Sequence, residues 1–157
     1  MKSTDTTDHP GVIAFPPLIW LVCAVTSALV HFIFPCLMMS PGVARPVGIA
    51  LAVAAPSLAI WGLLVMKAAG TNVRPSQPTL TIVRAGPFRF TRNPMYLALC
   101  LLQVALSFLL NEWIALLFVI PLALVLHHGV ILREERYLEA KFGEPYLALK
   151  RDVRRWI

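Results

Sequence analysis

Four long stretches of the chain carry no charged side chain. They hold between 15 and 22 residues each and comprise Leu18–Met39, Val47–Met66, Tyr96–Leu110 and Trp113–Leu132. Lipid offers no water to backbone N–H and C=O groups, so apolar segments of this length satisfy their hydrogen bonds internally as helices. The pattern predicts an all-α, multi-pass transmembrane helical bundle with about four spans. The third stretch is short, because 15 helical residues rise only about 22 Å.

The segments between these stretches contain breakers. Ser40-Pro41-Gly42 is a turn signal that predicts the end of the first span, and Asn111-Glu112 is a tight break that joins the last two stretches into a helical hairpin. Residues 71–93 are polar and too rich in proline and glycine to form a long helix.

The tail after the hairpin has a different period. Apolar or aromatic side chains recur at spacings of four, four and three, at Leu138, Phe142, Tyr146 and Leu149. This spacing predicts a C-terminal amphipathic helix at the membrane surface, with a break near Gly143-Glu144-Pro145. We predict one membrane domain over residues 1–157, with the first two spans in 1–69 and the loop, hairpin and tail in 70–157.

The distribution of basic residues predicts how the protein is oriented in the membrane. The chain has 14 Lys and Arg against 8 Asp and Glu, and four spans would place 13 of the basic residues, Lys2 included, on one side and Arg45 alone on the other. The positive-inside rule therefore predicts an inner-membrane protein with both termini cytoplasmic. Contact with anionic lipid headgroups accounts for the net charge of +6 without nucleic acid. With 58% apolar and 14% charged residues, a soluble globular domain is excluded.

The two cytoplasmic segments flank the hairpin and so lie close together, which makes them the natural place for chemistry. In Arg92–Tyr96, Asn93 and Pro94 suit the N-cap and first position of a helix. This segment is either simply a helix start or a helix N-terminus that binds an anionic group. Glu134 follows a charge-free span directly, where an ionisable group is costly and often functional. The alternative for both Glu134 and Glu135 is a solvated face paired with neighbouring basic residues.

Histidines and cysteines do not predict a metal site. His127 and His128 are adjacent, so their side chains point to different helix faces. The three cysteines all lie inside apolar stretches, where they behave as small buried hydrophobes.

The two cytoplasmic segments together resemble the isoprenylcysteine carboxyl methyltransferase family, within the wider group that includes membrane phospholipid methyltransferases. The similarity is to small bacterial members and covers about residues 70–157. The residues that carry it are Gly70–Pro75, Val83, Gly86-Pro87-Phe88, Arg92–Tyr96, Arg133-Glu134-Glu135, Leu138, Phe142-Gly143, Tyr146 and Arg154-Arg155-Trp156.

The resemblance implies an enzyme that transfers a methyl group from S-adenosylmethionine to a small or lipophilic acceptor at the membrane. Carried over residue by residue, it implies a cofactor pocket made of Leu80, Thr81, Ile82, Val83, Phe88, Asn93, Pro94, Met95, Tyr96 and Glu134. The candidates for catalytic residues on the substrate side are Arg92, Glu135 and His128.

The acceptor stays open at this point. Val130 stands where prenylcysteine-specific enzymes of this family place a substrate-binding arginine, which argues against a prenylated cysteine carboxylate. The alternatives are a phospholipid N-methyltransferase and a non-catalytic or reductase-like membrane relative. The sequence does not indicate the oligomeric state.

Overall fold

The computed structural model describes residues 8–157. Most of these residues lie in helices, a long non-helical loop covers residues 71–85, and one isolated β-bridge joins Leu37 and Glu112. Lys2, which contributes to the predicted charge bias, lies outside the described residues. The helices are α1 (Pro16–Ile33), α2 (Pro41–Ala68), α3 (Pro94–Leu110), α4 (Trp113–Leu117), α5 (Val119–Leu126), α6 (Leu132–Phe142) and α7 (Glu144–Asp152). A 3₁₀ turn covers Gly86–Arg89, and a π-helical turn covers His127–Ile131 between α5 and α6.

Within the described residues, three helical stretches are long and apolar enough to cross a membrane. They are α1, α2 and the succession Trp113–Phe142, which runs through α4, α5, the π turn and α6. Helix α3 is apolar but shorter, and its 17 residues rise only about 25 Å. The predicted all-helical, apolar architecture is confirmed, whereas the number of spans and their orientation stay predictions.

Helix α1 ends earlier than its apolar stretch. The helix stops at Ile33 rather than near Ser40, and Phe34 has the non-helical angles φ −135° and ψ 72°. Pro35 explains this, because a proline disfavours the helical conformation of the residue before it and cannot donate a backbone hydrogen bond. Residues 35–40 therefore connect α1 to α2.

The turn between α3 and α4 is the predicted break, and it is tied to the end of α1. Asn111 adopts the left-handed conformation, with φ 55°. Glu112 is fully buried, and its carboxylate lies 2.9 Å from Nδ1 of His31 and accepts the N–H of Cys36 at 2.8 Å. A buried carboxylate is stable only when it is paired in this way, so Glu112 fixes the hairpin turn against α1.

The interior lies between α1, α3 and the second arm of the hairpin. Its fully or nearly fully buried apolar side chains are Tyr96, Cys100, Leu122, Leu126, Val130 and Ile131. On the other side, α2 packs along α3 more extensively than any other pair of helices. Gly48 permits that close approach, because a Cβ there would lie 2.9 Å from both Cγ and the backbone N of Leu109.

We predict that Gly48→Ala loosens the contact between α2 and α3. The added methyl group overlaps backbone as well as side chain, so the free energy of unfolding in detergent should fall by about 1–3 kcal/mol. Gly42→Ala is the matched control in the same helix, since a Cβ at Gly42 meets none of the described residues within 4 Å. Equal thermal stability of the two variants would contradict this packing.

Candidate functional site

A cavity lies where the loop before α3 meets the start of α6. The structure brings together most of the residues that the sequence predicted for a site. Those that line the cavity are Thr81, Ile82, Val83, Phe88, Arg92, Asn93, Pro94, Met95, Tyr96, Glu134 and Glu135.

Two predicted residues lie apart from it. The Leu80 side chain is 59% exposed and does not line the cavity, although its backbone N–H is held by the Thr71 hydroxyl at 2.9 Å. His128 is also exposed and lies outside the lining. The geometry therefore gives no support to a catalytic role for His128.

The π turn explains the position of His128. In an uninterrupted α-helix, residues seven apart share a face, so His128 would point the same way as Glu135. The π turn His127–Ile131 adds about one residue to that interval and rotates His128 off the face. Half-buried His127 takes its place and lies near Glu135 and Arg155.

Glu134 faces the cavity beside Tyr96. The Tyr96 hydroxyl donates to Oε1 of Glu134 over 2.5 Å, and Tyr96 is 5% exposed. The second carboxylate oxygen, Oε2, has no protein partner among the described residues. Glu134 thus presents a hydrogen-bond acceptor to the cavity on a side chain that Tyr96 holds in place.

Glu135 has a different environment, because arginines occupy both of its oxygens. Arg155 donates from Nε and Nη2 at 2.8 Å each, and Arg92 donates from Nη2 at 2.9 Å. Glu135 is 5% exposed, and its hydrogen bonds raise the pKa of Arg155. The solvated-face interpretation is therefore wrong for Glu135, which joins the loop before α3 to the C-terminal tail through α6.

The tail also bonds to the loop through its backbone. The Arg92 N–H donates to the carbonyl of Arg154, and the Thr91 hydroxyl and the Asn93 side-chain amide both donate to the carbonyl of Arg155. Asn93 occupies the N-cap position as predicted, but its side chain makes no capping bond. The N–H groups of Met95 and Tyr96 consequently have no acceptor in the part of the chain that the structure describes.

The cavity is also lined by residues that the sequence analysis did not assign to the site. The Thr71 hydroxyl accepts the N–H of Leu80, and the Tyr137 hydroxyl accepts the N–H of Thr79 at 3.2 Å. Tyr146 lies in the lining at 3% exposure, and burial raises the pKa of its phenol, which keeps it neutral. Thr71 and Tyr146 are among the residues that carry the family resemblance, but the sequence assigned neither of them to the pocket, and it did not single out Tyr137.

The N-terminal arm, residues 8–14, lies across α6 and the π turn. Asp8 pairs with Lys141 at 2.8 Å, and that hydrogen bond lowers the pKa of Asp8. The N–H of Ile13 donates to the carbonyl of Gly129, where an added Cβ would lie 2.3 Å from the Ile13 side chain. Pro10 in this arm contributes to the rim of the cavity.

The described residues form a helical bundle with three stretches of membrane-spanning length and apolarity and a cavity at one end. A profile of the phospholipid methyltransferase family matches residues 43–145, about two thirds of the chain. The protein belongs to the phospholipid methyltransferase family. It is also 46% identical over 63 residues to an uncharacterized protein of Haemophilus influenzae, a match that covers 40% of this chain and 100% of that relative.

We predict that Glu135→Gln releases the tail. The change leaves Arg92 and Arg155 without their carboxylate, and because Arg155 is 32% exposed we expect a loss of about 3 kcal/mol, the lower end for a broken buried pair. Limited trypsin digestion should cut at residues 150–155 faster than in the parent protein, and the melting temperature should fall.

Glu144→Gln is the control for this prediction. Its partner is Arg151, both side chains are more than 60% exposed, and exposed pairs contribute little. If Glu135→Gln digests and melts like Glu144→Gln, the ion-pair cluster does not hold the tail.

Proposed function

We propose that this protein is an integral-membrane methyltransferase that binds S-adenosylmethionine in the cavity and methylates a lipophilic acceptor. The observation that carries the proposal is the convergence of three kinds of group on one space. They are an apolar wall at Ile82, Val83 and Phe88, the acceptor oxygen of Glu134, and the uncapped start of α3. Membership of the phospholipid methyltransferase family supports the same activity.

The residues present suit this cofactor. S-adenosylmethionine has a flat adenine, ribose hydroxyls and an amine that donate hydrogen bonds, and a carboxylate. The apolar wall suits the adenine, and Phe88 is 8% exposed on it. Oε2 of Glu134 suits a hydroxyl or ammonium donor, and helix N-termini favour anions.

The protein contributes to the reaction by orienting the bound cofactor and by excluding water. When bound, the cofactor supplies a methyl group already activated on a sulfonium. The hydrogen bond from Tyr96 fixes the rotamer of Glu134. The acceptor that would orient S-adenosylmethionine is therefore preorganised. The tail and Tyr146 close the cavity on the side of α7.

We assign Arg92 and Glu135 to binding and positioning rather than to proton transfer. Both oxygens of Glu135 already accept arginine N–H groups, which stabilises the ionised carboxylate. An arginine guanidinium does not deprotonate in proteins, so Arg92 is a poor base.

The orientation that the charge distribution predicts is consistent with the proposed use of a soluble cofactor. Four spans with both termini cytoplasmic place the loop before α3, α6 and α7 on the inner surface, where the soluble cofactor is available. Residues 70–157 then form the cofactor-binding half, and residues 1–69 supply the first two spans. A lipophilic acceptor reaches the cavity laterally from the inner leaflet.

A phospholipid amine is the acceptor that the family favours. Val130, in the place of a substrate-binding arginine, is completely buried in the core and does not line the cavity. The position therefore offers no cation to an acceptor carboxylate. A neutral nucleophile such as a headgroup amine does not need one.

We predict that purified protein in detergent binds S-adenosylmethionine and S-adenosylhomocysteine and is stabilised by both, while NADPH has no effect. Glu134→Gln should weaken binding at least tenfold without changing the melting temperature of the ligand-free protein, because it keeps the shape but replaces the acceptor oxygen that faces the cavity with an amide group that cannot accept. Isothermal titration calorimetry measures the binding.

Glu139→Gln, in the same helix but outside the lining, is the matched control and should bind as the parent does. A flat response of the parent to both adenosyl compounds would overturn the proposed function. Stabilisation by NADPH instead would favour a reductase-like relative.

We further predict that membranes containing the protein transfer radiolabelled methyl groups to phosphatidylethanolamine rather than to thiol or carboxylate acceptors. Thin-layer chromatography of the lipid extract separates the products. Label in a thiol or ester product would support methyltransferase activity but exclude a phospholipid as the acceptor.

A further inference from the structure

The guanidinium of Arg92 has more hydrogen-bond donors than the protein uses. Its side chain is 8% exposed, yet its Nε and Nη1 atoms are buried with no partner among the described residues. Arg92 lines the cavity described above. Buried polar groups in folded proteins are almost always bonded, so a doubly unsatisfied arginine beside a cavity points to a missing acceptor.

The sharing of one carboxylate by several cations favours an anion as this acceptor. Glu135 is the carboxylate that Arg92 contacts, and it already makes a two-pronged pair with Arg155. Lys150 lies 3.9 Å from Glu135 and pairs more closely with Glu139. Among the described residues, Arg92 therefore shares its carboxylate partner with Arg155 and Lys150, so its charge is only partly balanced by Glu135.

The start of α3 adds donors at the same place. Asn93 turns its side chain away to the tail and leaves the N–H groups of Met95 and Tyr96 free, and these three residues line the cavity with Arg92. A helix N-terminus of this length carries partial positive charge that stabilises an anion. Planar guanidinium donors and backbone N–H groups together match a carboxylate.

We propose that Arg92 and the N-terminus of α3 form a subsite for the carboxylate of the methyl donor. This inference rests on the proposed function and assigns Arg92 to donor recognition rather than to catalysis on the acceptor. The carboxylate accepts from the donors of Arg92 that the protein leaves unpaired. It also places the donor's amino-acid end beside Glu134, which lies in the same cavity.

The test compares two ligands that differ in that one group, S-adenosylmethionine and its decarboxylated form. Calorimetry on the full-length protein in detergent should show that the parent binds S-adenosylmethionine at least tenfold more tightly. Arg92→Gln should remove most of this preference by weakening S-adenosylmethionine while leaving the affinity for the decarboxylated ligand within about threefold. Arg89→Gln, an exposed arginine three residues earlier, should keep the parent's preference.

Each other outcome is decisive. A parent protein without preference for the carboxylate overturns the subsite even if Arg92→Gln fails to fold. Equal weakening of both ligands by Arg92→Gln also overturns it, because Arg92 would then only support the fold of the cavity. A parent that binds neither ligand, and no S-adenosylhomocysteine, overturns the proposed function itself, which is distinct from losing only the preference.

Discussion

The buried carboxylate of Glu135 is the contact on which the arrangement of this site depends. It sits near the start of α6, at the end of an apolar span, where an unpaired charge would be strongly unfavourable. Arg92 arrives from the loop before α3 and Arg155 from the C-terminal tail, so satisfying one carboxylate brings three separate parts of the chain together. The backbone bonds from residues 91–93 to the tail then become possible.

The hairpin is held at both ends by buried acids, and a third acid is left available. Glu112 fixes the far turn through His31 and the N–H of Cys36, and Glu135 fixes the near end through two arginines. Glu134, adjacent to Glu135 but turned to the cavity, is bonded to the protein through one oxygen. The paired carboxylates join separate parts of the fold, whereas Glu134 presents its second oxygen to the cavity.

The sequence predicted the helices well, because charge-free stretches and the breakers between them act locally. It located α3, the turn at Asn111 and the break at Gly143, where φ is 57°. It could not locate the π turn, since a single inserted residue leaves no mark on an apolar run. That turn decides that His127 rather than His128 lies near Glu135.

The sequence predicted some of the residues around the cavity but not the contacts made by the tail. Residues 81–83 and 92–96 and Glu134 converge as expected, because the hairpin brings its two flanking segments together. The partner of Glu135 on the tail is separated from it by 20 residues and depends on the break at Gly143, so periodicity alone could not assign it. Asn93 likewise has the sequence of an N-cap, but a tertiary bond to Arg155 redirects its side chain.

We propose above that the methyl donor occupies the cavity between the loop, α3 and α6. Ultraviolet cross-linking of radiolabelled S-adenosylmethionine to the protein in native membranes, followed by peptide mapping, tests this most directly. The label should lie within residues 71–96 or 134–149 and should be displaced by excess S-adenosylhomocysteine. Label that maps to α1 or to the far end of the hairpin, or that excess S-adenosylhomocysteine does not displace, would contradict it.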